Sequence, residues 1–84
     1  MPSQASTPSL PQASLDSSSL LSVGYSGESG IMEIAFQNGS LYRYFAVPPH
    51  VYEALLTASS KGRYFNIAIR PCFRFERLRT ATPS

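Results

Sequence analysis

The 84-residue chain is 43% apolar, holds five Tyr and five Phe, and carries a net charge of +2, which allows one small domain with one core. Its single cysteine excludes an internal disulfide and a Cys-based zinc site of the usual kind. No run approaches the ~20 apolar residues that span a bilayer.

The charge is unevenly placed. Residues 1–59 carry Arg43 against Asp16, Glu28, Glu33 and Glu53, a net −3, and residues 60–84 carry Lys61, Arg63, Arg70, Arg74, Arg77 and Arg79 against Glu76, a net +5. A basic C-terminal part points to an anionic partner, against the plainer reading of a solvated, internally paired surface. The lone cysteine and an N-terminus without a basic, apolar leader pattern predict a cytoplasmic protein.

Residues 1–17 are rich in Ser, Pro and Gln, with Pro2, Pro8 and Pro11 forbidding regular structure, and are predicted to be a disordered, nearly uncharged tail. The first strand begins near Ser19, where Leu21, Val23 and Tyr25 alternate with Ser22 and Gly24. The spacing of Gly24, Gly27 and Gly30 superficially suggests a phosphate loop. It has no accompanying lysine and leads into no helix, so it reads as turn chemistry.

Strands follow over residues 31–36 and 41–45, with Asn38-Gly39 between them as a hairpin signal. A two-residue turn would set Arg43 opposite Ile34. A three-residue loop with Gly39 left-handed instead sets Glu33 opposite Arg43 and gathers Met32, Ile34, Phe36, Tyr42 and Tyr44 on one face. The second register is the expected one, because it keeps charge off the apolar face.

Pro48-Pro49 opens a helix whose stripe is Val51, Tyr52, Leu55 and Leu56. Ser59-Ser60 stops it and caps a second helix, in which Tyr64, Phe65, Ala68 and Ile69 repeat the spacing until Pro71. Residues 72–78 alternate as a last strand, with Phe73 and Phe75 facing one way and Arg74 and Glu76 the other. Residues 80–84 are expected to fray. The predicted fold is α+β: a small antiparallel sheet with two short helices on one face, in the order β-β-β-α-α-β.

Several of these segments together resemble the KTSC domain family. They are Ser18-Ser19 with Val23-Gly24-Tyr25, the Tyr-x-Tyr of Leu41-Tyr42-Arg43-Tyr44-Phe45, and the stretch Val47-Pro48-Pro49-His50-Val51-Tyr52-Glu53-Ala54-Leu55-Leu56. Ser60-Lys61-Gly62-Arg63-Tyr64-Phe65-Asn66, Ile69-Arg70 and Arg77-Leu78 complete the resemblance, which places a KTSC-like domain over residues 18–79. The family includes a domain at the C-terminus of some lysyl-tRNA synthetases, a context that implies RNA binding rather than an assigned activity. Two departures stand out: Ser26 replaces an Asp common after Gly-Tyr, and Ile67-Ala68 replaces a more polar pair.

Catalysis is not expected. His50 is the only histidine and reads as a surface residue in the first helical turn. Cys72 reads as a small buried or half-buried hydrophobe rather than a thiolate. The acidic residues are scattered, so no metal site and no cofactor are predicted.

RNA or single-stranded nucleic acid is the expected partner. Such ligands are held by stacking bases on aromatic rings while basic side chains take phosphates. Tyr42 and Tyr44 supply rings, unless they serve the core. Lys61, Arg63, Asn66 and Arg70, supported by Arg74 and Arg77, supply polar contacts. The alternative is a protein-interaction module, docking through an apolar sheet surface at Ile31 or Leu41.

Overall fold

The Asn38-Gly39 pair settles the register of the sheet. Gly39 takes a left-handed φ of 96°, open to glycine at no steric cost. The Phe36 N–H donates to the Ser40 carbonyl at 2.9 Å, and the Gly39 N–H donates back to Phe36 at 3.0 Å. The loop is therefore three residues long, and Met32 faces Tyr44, Glu33 faces Arg43 and Ile34 faces Tyr42, as expected.

A computed structural model describes residues 10–80. In chain order the elements are β1 (Ala13–Ser14), β2 (Leu20–Ser26), β3 (Ile31–Phe36), β4 (Leu41–Tyr44), α1 (Pro49–Thr57), α2 (Lys61–Tyr64) and β5 (Phe75–Arg79). The sheet runs β1-β2-β3-β4-β5 and is antiparallel throughout. One face packs on the helices: Leu20, Val23, Met32, Ile34 and Tyr44 meet Val51, Leu55, Phe65 and Ile69 in a single cluster. Leu55 and Ile69 are wholly buried, each contributing ~1.5–3 kcal/mol as an upper estimate. They pin the two helical segments to the sheet.

Strand β2 departs from the simple alternation. A register shift between Leu20 and Ser22 inserts one residue, which turns Leu20 into the core and leaves Leu21 half exposed. Leu41, expected as a docking surface, is wholly buried; it pairs with the buried Ala35 on β3.

The predicted second helix changes character halfway. Ser60 caps α2, its hydroxyl accepting from the Arg63 N–H at 3.4 Å. From Phe65 to Ile69 the backbone widens into a π-helical turn, and the Arg70 N–H reaches the Phe65 carbonyl at 2.9 Å. Such single π turns recur at functional sites. The Ile69 carbonyl then accepts from both Cys72 and Phe73. These residues close the helix instead of beginning a strand, so Cys72 is exposed in a turn rather than half buried in β5.

The other face of the sheet carries charge. Glu33 has no exposed surface. Its carboxylate accepts from Arg43 Nε at 3.0 Å and Nη2 at 2.8 Å, and from the Leu10 backbone N–H at 3.0 Å. Glu76 extends this row across the third strand, 3.5 Å from Arg43.

Residues 10–17, expected within the disordered tail, are placed against β2 and β3. β1 pairs with β2, the Leu15 N–H donates to Leu21 at 3.0 Å, and Leu15 joins the rim of the core. Backbone hydrogen bonds and the Glu33 carboxylate offset the entropy that the apolar content could not. Gly24 makes room for this segment. A Cβ there would collide with Gln12 and stand 2.7 Å from the Pro11 carbonyl. The rest of the expected tail, residues 1–9, and residues 81–84 lie outside the described residues. No helix among the described residues is long and apolar enough to cross a membrane.

Candidate functional site

Alternation along β4 and β5 decides which side chains share the helix face. Tyr44 pairs with Phe75 and Tyr42 with Arg77, so these four project together beside the π turn. The helical layer does not reach across β5. A cleft of about 290 Å³ remains there, floored by Tyr42, Tyr44 and Phe65 and edged by Phe75, Asn66 and Arg70.

The floor is an aromatic array. Phe75 lies 5.6 Å from Tyr42 and 5.7 Å from Tyr44, centroid to centroid. Phe65 meets Tyr44 edge-on at 5.6 Å and Phe36 at 5.2 Å. These are favourable ring geometries. Phe75 is 51% exposed, so about half of the residue remains open to solvent at the cleft edge. The Arg77 guanidinium lies 6.0 Å from the Tyr42 centroid, at the limit of a cation–π contact.

Tyr44 is 2% exposed. Burial, reinforced by the neighbouring Tyr42, pushes its hydroxyl up to about 12, while the positive charge of Arg70 acts in the opposite direction. At the hairpin end, the Ser40 hydroxyl donates to the Asn38 side-chain oxygen at 2.7 Å, adding polar groups to the same cleft.

Tyr42, Tyr44, Asn66 and Arg70, four of the residues singled out in the sequence, line this cleft, with Arg77 beside it. Tyr44 serves the core and the cleft at once. Lys61 and Arg63 line a neighbouring groove of about 630 Å³ between the α2 start and residues 16–19. Arg74 is not with them. It stacks over Phe45 at 5.4 Å, on the opposite side of the sheet, because it differs in strand parity from Phe75 and Arg77. Arg43 is likewise tied to the Glu33 row.

The sequence reading omits Phe75, Phe36, Asn38, Ser40 and Ser19 as cleft residues. Phe75 had a signal, since it alternates with Arg77 in the last strand. Asn38 and Ser40 read only as turn residues. His50 is exposed, and among the described residues no three His, Cys, Asp or Glu side chains group as a metal site.

Comparison with known proteins gives a consistent picture. Residues 16–73 match the KTSC domain model. An uncharacterized protein of Stutzerimonas stutzeri is 53% identical over 60 residues, covering 71% of this chain and 84% of that one. A lysine–tRNA ligase of Nostoc punctiforme is 46% identical over 54 residues, which is 64% of this chain but 10% of the ligase. The crystal structure of a KTSC domain protein from Yersinia pestis superposes with a TM-score of 0.76 at 31% identity, covering 82% of this chain and 97% of that one.

Proposed function

This chain belongs to the KTSC domain family, and on that footing we propose that it is a non-enzymatic module binding RNA or another single-stranded nucleic acid. A base stacks in the aromatic cleft. Arg70 and Arg77 hold the adjoining backbone, and Lys61 and Arg63 extend the basic track. The observation that carries this reading is the half-exposed Phe75 ring beside Tyr42, with Asn66 and Arg70 at the same cleft. Open rings next to basic side chains are what single strands require. Arg74 is left to support association at long range from the far face. The relationship to one segment of lysine–tRNA ligases is in keeping with an RNA partner.

The test is titration of the isotope-labelled chain with a short mixed-sequence RNA, followed by amide shifts. Shifts centred on residues 42, 66, 70, 75 and 77 that persist near physiological salt are the expected result. Phe75→Ala should weaken binding by about 5- to 150-fold, from the ~1–3 kcal/mol of one base–aromatic stack. Its ring is half exposed, so the fold should survive the change. Absence of shifts even at low salt would refute the proposal.

One observation favours a protein partner instead: Ile67 is 67% exposed on the π turn. Leu41 does not add to such a surface, being buried. A partner docking there would be recognised by loss of binding in Ile67→Ser with Phe75→Ala unaffected.

A further inference from the structure

The aromatic cleft and the basic groove are contiguous. Ser19, Gly62 and Asn66 line both. The two recesses differ in chemistry. The cleft has a ring floor and a volume of about 290 Å³, at the lower end of small-molecule pockets. The groove is lined by Lys61, Arg63 and the hydroxyl side chains of Ser17, Ser59 and Ser60.

Residue 62 contributes no side chain to the boundary between them, which Ser19 and Asn66 flank. At Gly62 a Cβ would lie 2.8 Å from the Ser19 hydroxyl oxygen, so a side chain there would require the Ser19 hydroxyl to rotate away. Asn66, on the π turn, is exposed and borders both recesses.

Resting on the nucleic-acid reading above, we infer that cleft and groove form one bipartite site whose recognition unit is a nucleoside together with its phosphate. The base occupies the aromatic cleft. The sugar crosses the Ser19–Gly62 boundary, within reach of the Asn66 amide. The phosphate enters the groove, where Lys61, Arg63 and the serine hydroxyls supply donors. Lys61 Nζ already donates to the Ala58 carbonyl at 3.0 Å, which orients the ammonium and leaves two of its three N–H donors. Asp16 also lines the groove. Its carboxylate opposes the phosphate and moderates affinity, making it the sharpest point at which to test the assignment.

The experiment compares adenosine, its 5′- and 3′-monophosphates, inorganic phosphate and a hexameric RNA against the labelled full chain, in native and Asp16→Asn forms. Adenosine should shift residues 42, 66 and 75 alone. One of the two monophosphates should add shifts at residues 60–63 and bind more tightly, which also gives the strand polarity. Asp16→Asn should tighten that monophosphate by about two- to fivefold, as expected for removing ~0.5–1 kcal/mol of like-charge repulsion near water. It should leave adenosine unchanged.

If the hexamer titrates the cleft but neither monophosphate reaches residues 60–63 and Asp16→Asn has no effect, the bipartite site is wrong while the nucleic-acid reading stands. If a monophosphate bridges both recesses and the hexamer does not bind, the bipartite site holds for free nucleotides and the RNA reading falls. If none of the probes binds, both fall.

Discussion

Replacing Glu33 by Gln keeps the side-chain volume and removes one charge from the most enclosed polar group of the described sheet. The carboxylate has no exposed surface and holds the Arg43 guanidinium, whose side chain is 28% exposed, at 2.8 Å. It also accepts the Leu10 N–H. Breaking a fully buried pair by removing one partner costs about 3–5 kcal/mol, chiefly because the remaining charge stays desolvated. Here water reaches part of Arg43, Glu76 remains 3.5 Å away, and the amide oxygen of Gln can keep one acceptor role. The expected loss is therefore lower, about 2–3 kcal/mol. That is a large share of the roughly 4–10 kcal/mol expected of a folded region this size, and corresponds to a fall in Tm of about 10–20 °C. Thermal and urea unfolding by circular dichroism measure it, and amide exchange at Leu10 should lose protection in the same variant. The double variant Glu33→Met with Arg43→Met should recover part of the loss, since no charge is then stranded. A Glu33→Gln protein melting within about 3 °C of the parent, with Leu10 still protected, would refute the reasoning.

Two further outcomes follow from the packing. Gly24→Val drives a side chain into the space held by residues 10–12. It should cost about 1–3 kcal/mol, and the Leu15 amide bonded to Leu21 should lose exchange protection while the β3–β4 amides keep theirs. The second outcome concerns Tyr44, whose hydroxyl titrates at about 12 in the fold against 10.0 in the open chain. Because the fold favours the neutral form, this contribution is complete below pH 10 and disappears as pH rises towards 12. The stability lost is about 2–3 kcal/mol. Urea midpoints across that range, with tyrosinate absorbance, should show the loss. A Tyr44→Phe protein with the same alkaline decline would contradict the assignment to this residue.

Much of the fold was legible because its signals are short-ranged. Asn38-Gly39 and the Glu33–Arg43 parity specified the hairpin, since a turn's φ values and a one-residue slip are decided within a few residues. Pro49, Ser60 and Pro71 bounded the helical segments for the same reason. Parity also contained more of the site than a charge count extracts. Arg74 and Arg77 belong to one basic run, yet an odd spacing in a strand sends them to opposite faces.

Short-range pattern was enough for the sheet-and-helix architecture, the apolar face and the presence of rings beside basic residues. Tertiary structure decided which rings stay open, because that depends on how far the helical layer extends across the sheet. Phe73 and Phe75 share parity, but the turn at residues 70–73 carries Phe73 to the rim of the core and leaves Phe75 at the uncovered edge. Tertiary structure also placed residues 10–14. Their partners are a backbone carbonyl, a missing Cβ at Gly24 and a carboxylate 23 residues away. Such contacts use groups that nearly every residue possesses, so no local pattern announces them.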